Sequence, residues 1–431
     1  MSIPLSSVRV SPTMDNMSQR GIRSAGQPIG RLMAQALQFP DLISLAAGFV
    51  DNGSLPCEES TACMQRLLAD PGDLRAALQY GSTAGYPALR SAIIDWTYAK
   101  APECKPPVEQ VILTSGSNQL LHLLAEALLD PGDIVLAAAP TYFVFLGTLQ
   151  AAGARTIGIH ADEQGMCLDS LQAKLDELSS LGLAHRVKAI YVIPDFDNPG
   201  ASTLSLERRH ELLHIAMKWR SSHGPLMLIV DNAYQQLRYE GESLPTLRSL
   251  HPEADDFIAE LGTFSKSFSP GIRVGWGVVP EYLVEPLLDI KSNIDFGSPH
   301  FAQHFMYRAL IEGEVERHLP RIRTVYQKKL QAMLTALQAE MGDIPGVHWR
   351  KPSGGLYVWL TLPEHISASE GAQLWQIATQ YGVLYVPGDY CYPAEGQAVE
   401  YNTIRLSFGV QSPEGIAVGI QKLAQAVREV I

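Results

Sequence analysis

Between residues 55 and 298 the chain alternates short apolar runs with longer stretches in which apolar residues recur every three to four positions. A short apolar run bounded by turn residues reads as a strand buried on both faces, and the longer recurrence reads as an amphipathic helix. Strands are predicted near Val111, Ile134, Ala189, Leu226, Phe257 and Val274, with helices such as 120–129 and 205–219 between them. That alternation predicts a doubly wound, mainly parallel sheet. After Pro299 the pattern changes to a long helical region ending at Met341, hairpin-like strands over 347–359 and a helix over 370–381. Strands near Val383 and Ile404 and a closing helix over 413–430 complete an α+β layout. The first 41 residues carry Pro and Gly signals and one short helix near 29–37. The expected fold class is therefore α/β: an arm over 1–54, a three-layer α/β/α large domain over 55–300, and a smaller α+β domain over 301–431.

Composition narrows the class without changing that picture. At 431 residues, 46% hydrophobic and 18% charged, the chain has room for two domains with sizeable cores. A net charge of −12 argues against a nucleic-acid partner and against attraction to anionic membranes. No apolar run reaches spanning length, and residues 1–20 are too polar for a secretory signal. The five cysteines, Cys57, Cys63, Cys104, Cys167 and Cys391, are odd in number and scattered, which favours reduced thiols and a cytoplasmic location.

The chemistry concentrates in Ser265-Lys266-Ser267-Phe268-Ser269-Pro270-Gly271-Ile272-Arg273. A lysine among small hydroxyl residues forms a Schiff base where its surroundings disfavour the ammonium, and an arginine beside hydroxyls holds a phosphate. The pair points to pyridoxal phosphate. Upstream, the apolar run 225–230 ends abruptly in Asp231, with Tyr234 three residues later. A carboxylate at the C-terminal end of a buried parallel strand sits where α/β sheets bind ligands, and it would keep a pyridinium nitrogen protonated. The strand-like Val111-Ile112-Leu113-Thr114 leads into Ser115-Gly116-Ser117-Asn118 and a helix, a second cradle for phosphate. Neither a Walker lysine pattern nor Gly-x-Gly-x-x-Gly is present there, which disfavours a nucleotide.

In this order the motifs resemble the fold type I, pyridoxal-phosphate-dependent aminotransferases of class I/II. The nearest likeness is to the α-aminoadipate and kynurenine aminotransferase group and to the aminotransferase-like domains of certain GntR-type regulators. The resemblance runs from about residue 20 to the end through Gln79-Tyr80-Gly81, Thr114-Ser115-Gly116-Ser117-Asn118-Gln119 and Pro140-Thr141-Tyr142. It continues through Pro194-Asp195-Phe196-Asp197-Asn198-Pro199, Asp231-Asn232-Ala233-Tyr234, the Lys266 segment, Ser353-Gly354-Gly355 and Ile404-Arg405-Leu406-Ser407-Phe408.

The resemblance implies roles. Lys266 would be the Schiff-base lysine and, once freed by the substrate amine, the base that moves the Cα proton. Asp231 would pair with the pyridine nitrogen, Tyr234 and Asn198 would bond the 3′ oxygen, and Tyr142 would stack on the ring. Ser117, Asn118, Thr263, Ser265 and Arg273 would hold the phosphate, joined by Tyr80 from a second subunit. Arg405 would clamp the substrate α-carboxylate, a task that suits a planar guanidinium, with Asn198 beside it and Gly48 against the substrate side chain. A homodimer with shared active sites is implied, the arm closing over the site. The implied reaction moves an amino group from an α-amino acid to a 2-oxo acid, such as 2-oxoglutarate, through a pyridoxamine phosphate stage. A lyase, decarboxylase or oxidase on the same scaffold, and a non-catalytic cofactor-binding regulator, are the alternatives.

Two departures bear on this. Asp197 and Gly200-Ala201 replace the family's usual residues around Asn198-Pro199, so a carboxylate stands beside the 3′ oxygen ligand. Pointing inward, it would repel a phenolate; pointing outward, it would be solvated. Leu45-Ala46-Ala47-Gly48-Phe49 also lacks a usual double glycine. In the arm, Arg23 and Arg31 are within reach of a distal substrate carboxylate in principle, but terminal arginines are mostly solvated. One competing motif, His210-Glu211-Leu212-Leu213-His214, matches the zinc pattern His-Glu-x-x-His. The extended form's glycine and third histidine do not follow, and although Glu240 is a nearby candidate for a third ligand, a sheet-covering helix without metal is expected.

Overall fold

The computed structural model describes residues 16–28, 30 and 42–431. Seven strands form the body of the large sheet: β1 (Val111–Thr114), β2 (Ile134–Ala139), β3 (Arg155–Asp162), β4 (Val187–Val192), β5 (Met227–Asp231), β6 (Ile258–Thr263) and β7 (Gly275–Val278). Their spatial order is β3-β2-β4-β5-β6-β7-β1, with the short strand Glu395–Gly396 added beside β3. All pairs are parallel except those of β7, which runs against both neighbours, β6 and β1. The sheet is thus mainly parallel, as expected, and it needs helices on both faces.

Strand alternation separates two cores. Val135 and Ala137 of β2 face the layer that contains helix α1 (Ser117–Leu128), through Leu120, Leu121 and Leu124. Ile134 and Leu136 face the opposite layer, where Leu212, Leu213 and Ala216 of helix α3 (Leu206–His223) pack. Helix α2 (Phe143–Ala152) follows β2 on the first face. Helix α3 starts where the Ser205 hydroxyl accepts from the Arg208 N–H at 3.3 Å, an N-cap that satisfies one free donor. His210, Glu211 and His214 lie on its exposed side. Among the described residues no cluster of three or more His, Cys, Asp or Glu side chains is placed to hold a metal ion.

The chain's C-terminal part builds a second, antiparallel sheet in which β8 (Tyr357–Thr361) and β9 (Thr403–Ser407) pair, flanked by His348–Trp349 and Val386–Pro387. Helices α4 (Glu314–Met341) and α5 (Pro413–Val430) pack against each other, and α5 also against Ile43–Ser44 and Val383–Leu384. Ile43–Ser44 pairs in parallel with Val383–Leu384, which ties the chain just ahead of Gly48 to this second unit. The arm helix lies at Gln19–Arg23, and the helix expected at 29–37, like Arg31, falls outside the described residues. Strand β3 had no counterpart among the expected strands. Its Arg-Thr-Ile-Gly-Ile-His-Ala-Asp sequence alternates where β1 and β2 run as continuous apolar stretches, and it lies near the sheet's edge with Glu395–Gly396 beside it. Among the described residues no helix is long and apolar enough to cross a membrane.

Candidate active site

The C-terminal ends of β1, β5 and β6 open toward β8 and β9, and between them lies a cavity of about 270 Å³. Every predicted site residue except Tyr80 lines it. Tyr80 is 86% exposed and rests against Phe296, 6.2 Å between ring centroids.

One end of the cavity is a set of donors. Helix α1 begins at Ser117 after Gly116, whose φ of +81° is a left-handed conformation that glycine adopts freely. A Cβ there would lie 2.3 Å from the Arg273 guanidinium, so glycine also makes room for that side chain. Arg273 Nη2 donates to the Ser115 carbonyl at 3.0 Å and Nη1 reaches the Ser265 hydroxyl at 3.4 Å, and among the described residues it pairs with no carboxylate. The free N–H groups of the first helical turn, the Thr263 and Ser265 hydroxyls and this guanidinium together make an anion cradle.

Asp231 ends β5 and is 4% exposed. Its two oxygens accept from the Tyr191 hydroxyl at 3.0 Å and the Ala233 N–H at 3.1 Å, and no cation among the described residues pairs with it. Burial pushes its carboxyl up to about 6, only partly opposed by those two donors. A buried carboxylate without a counter-ion is a site for a protonated ring nitrogen. Lys266 follows β6, and its Nζ donates to the Gly48 carbonyl at 2.7 Å. Desolvation lowers its pKa; a Tyr357 phenolate would oppose the shift, while Arg405 and Arg273 reinforce it, so the amine is biased toward the neutral, nucleophilic form. The Lys329 ammonium holds the chain after Gly48 through Asp51, at 2.6 Å.

Arg405 sits mid-strand in β9, 4% exposed, rather than facing solvent. Nη1 donates to Asn198 Oδ1 at 2.9 Å and Nη2 to the Ala46 carbonyl at 2.8 Å, while Nε has no partner among the described residues. A buried guanidinium with two neutral partners and one idle donor is incomplete without an anion. The Asn198 amide in turn donates to the Tyr234 hydroxyl at 3.3 Å, and the Tyr142 hydroxyl donates to Asn118 Oδ1 at 3.2 Å.

Three findings go beyond the sequence reading. Asp197 points neither into the cavity nor to solvent: its carboxylate is buried in its own turn, accepting from the Gly200 N–H at 3.1 Å. Burial pushes it up to about 7, so near neutral pH it is only partly ionised, which together with its direction weakens the expected repulsion of a phenolate. Arg23 is committed elsewhere, its Nε donating to the Ala151 carbonyl at 3.2 Å near the C-terminus of α2. The sequence reading also missed Phe49, Phe143, Val144, Ile193 and Tyr357 as cavity walls. Tyr357 was within reach, since it stands two residues past the Gly354-Gly355 pair already singled out.

The loop that presents Asn198 hangs on a buried charge cluster. Asp195 takes Arg238 at 2.8 Å and the fully buried Arg209 at 3.0 Å. Asp195→Asn leaves both guanidinium groups without a counter-charge, and urea unfolding is expected to show a loss of about 3 kcal/mol. A loss below about 1 kcal/mol would mean the cluster is dispensable.

The fold and donor set define a class of enzyme: an α/β protein with a buried lysine, a buried carboxylate without a counter-ion and an anion cradle around one cavity, a set of residues that fits pyridoxal phosphate. The family model for aminotransferase class I and II matches residues 40–423. The chain is 33% identical over 422 residues to aromatic-amino-acid aminotransferase 1 of Thermococcus litoralis, covering 97% of this chain and 96% of that protein. Among solved structures it is similar to the kynurenine aminotransferase of Pyrococcus horikoshii, with TM-score 0.88 and 32% identity over 98% of this chain and 99% of that one. It is also similar to the α-aminoadipate aminotransferase of Thermus thermophilus in complex with N-(5′-phosphopyridoxyl)-L-leucine, with TM-score 0.84, 32% identity, and 96% and 98% of the two chains covered. The chain belongs to the class I and II aminotransferases. It is a pyridoxal-phosphate-dependent enzyme that moves amino groups between amino acids and 2-oxo acids.

Proposed function

We propose that this aminotransferase takes its amino group from an α-amino acid with a neutral, apolar side chain, and that Lys266 is the residue that moves the substrate's Cα proton. Bound pyridoxal phosphate supplies an electron sink for negative charge at that carbon. Asp231 would face its ring nitrogen, Tyr234 and Asn198 its 3′ oxygen and Tyr142 its ring. Ser117, Asn118, Thr263, Ser265 and Arg273 would hold its phosphate. Arg405 would orient the substrate by its α-carboxylate so that the Cα proton lies within reach of Lys266 Nζ. The observation that carries this reading is the unfinished guanidinium of Arg405, which shares one cavity with a lysine that has no carboxylate partner among the described residues.

Side-chain preference follows from what is left over. Of the cations lining the cavity, Lys266, Arg273 and Arg405, each has a task, and Arg23 is spent on Ala151. The remaining wall includes Phe49, Phe143, Val144 and Ile193. With no further cation among these lining residues, a distal carboxylate would be desolvated unpaired, whereas an apolar side chain is stabilised by burial. The exposed Leu78, Tyr80 and Phe296 favour a homodimer in which these apolar side chains are covered and Tyr80 of the partner subunit reaches the phosphate. The burial of Asp197 away from the cavity removes the feature that kept lyase, decarboxylase and oxidase chemistry open.

The test is to add amino acids singly to the purified holoenzyme without an oxo acid. Leucine or phenylalanine should convert the cofactor's absorbance band to that of its amine form, reversibly on adding an oxo acid. Glutamate should do so at least about 10-fold more weakly. Preference for glutamate would refute the apolar donor, and turnover without an acceptor would refute transamination by these residues. Arg405→Lys should raise KM for the amino acid about 10²-fold while the protein still binds its cofactor, because an ammonium cannot reproduce the forked contact.

A further inference from the structure

We propose that Tyr357 is a positioning residue for Tyr234: its hydroxyl donates to the Tyr234 oxygen and so leaves the Tyr234 proton free for the cofactor's 3′ oxygen. The inference rests on the role assigned to Tyr234 above.

Tyr357 opens β8, opposite Ser407 of β9, and is sealed from solvent. Its ring lies under the Arg405 guanidinium, 4.4 Å from carbon to centroid, and its hydroxyl is 3.1 Å from the Tyr234 hydroxyl. Gly48 is what admits it, since a Cβ at that position would stand 2.7 Å from the phenol oxygen. The same Gly48 offers its carbonyl to Lys266, so the phenol is built into the reacting end of the cavity.

The direction of the phenol–phenol bond follows from counting protons. A tyrosine hydroxyl has one proton to give and two lone pairs to receive with. Arg405 can only donate, so the Asn198 oxygen must face it and the Asn198 NH₂ must face Tyr234. The Tyr234 oxygen therefore already accepts one bond. If it also donated to Tyr357, no proton would remain for the cofactor's 3′ oxygen; if Tyr357 donates, the Tyr234 proton stays available and its bond is strengthened by the two it receives. Electrostatics point the same way. Burial raises both phenols, but the Arg405 guanidinium over the Tyr357 ring opposes this and holds Tyr357 below its ordinary value, whereas Tyr234 stays well above. In the neutral pair the more acidic phenol is the better donor. The resulting chain, Arg405 to Asn198 to Tyr234 with Tyr357 feeding Tyr234, couples the carboxylate clamp to the cofactor's oxygen.

The experiment is a pH titration of the cofactor absorbance band in substrate-free holoenzyme. A bond donated to the 3′ oxygen stabilises its anionic form, so the chromophore gives up its proton at lower pH. Tyr357→Phe removes only the hydroxyl and should raise the midpoint by about half a pH unit. Tyr234→Phe should raise it further, and the double variant should match Tyr234→Phe alone, since Tyr357 acts through Tyr234. An unchanged or lowered midpoint in Tyr357→Phe, or an extra shift in the double variant, would overturn the proposal. If Tyr234→Phe itself moves nothing, the role of Tyr234 falls first and this inference with it. Thermal melts of each variant show whether a shift reflects lost packing, which would lower Tm without this non-additive pattern.

Discussion

Lys266→Ala is expected to lower kcat for amino transfer by at least about 10⁴-fold, because it removes both the cofactor's attachment point and the base at the substrate's Cα. The fold should survive the change. The ammonium of Lys266 is disfavoured by burial, its one described hydrogen bond is to the Gly48 carbonyl, and no ion pair is broken. The phosphate cradle and Asp231 are untouched, so the variant should still bind pyridoxal phosphate, now without a covalent link. The decisive measurement is the rate at which an amino acid converts the cofactor band in a single turnover. A small primary amine added to the variant should restore part of that rate, since it can enter the vacated space and take the proton. Wild-type single-turnover rates in Lys266→Ala would exclude it as the base, and the lysine would then be only a tether.

How far such residues could be found in the sequence alone depended on what fixes them. Asp231, Thr263 and Ser117 were legible because each ends or follows an apolar run, and strand ends in a parallel sheet converge on one edge whatever the details. Arg405 was legible as a residue but not as a buried one, because a five-residue strand does not announce which face is covered; the paired strand β8 decides that. Asp197 could not be placed, since its direction depends on a turn closed by Gly200 and on the burial of the whole loop. Tyr357 was hidden for a similar reason: its meaning lies in a 3.1 Å contact with a residue 123 positions earlier. Strand β3 escaped because it lies near the sheet's edge and lacks the continuous apolar run that marks a central strand.

Asp231→Asn is expected to reduce kcat by about 10³-fold while making the cofactor-free protein more stable at alkaline pH. The catalytic half follows from charge. An asparagine keeps the shape but cannot hold a proton on the ring nitrogen, and without that positive charge the ring withdraws electrons poorly. The stability half follows from the carboxyl's position at about 6, above its ordinary 3.8. A raised carboxyl binds its proton more tightly in the folded chain than in the unfolded one. Its contribution is therefore full below pH 4 and is lost as pH rises through 6, by roughly 2–3 kcal/mol at pH 8. Asparagine removes that loss but offers one acceptor where the Tyr191 hydroxyl and the Ala233 N–H need two, which costs about 1 kcal/mol. The variant should thus be slightly less stable than wild type near pH 4 and about 1–2 kcal/mol more stable at pH 8. Asp197 titrates in both proteins, but the Asp231 charge is one of the causes that raise its carboxyl, so the substitution lowers it and adds to the variant's gain at pH 8. Adding pyridoxal phosphate should reverse the order at pH 8, because only the wild type gains a buried ion pair. Denaturant unfolding of the cofactor-free and loaded forms across this pH range measures all of it. Parallel stability curves for the two cofactor-free proteins would show that Asp231 is not an uncompensated buried charge held in reserve for the ring nitrogen.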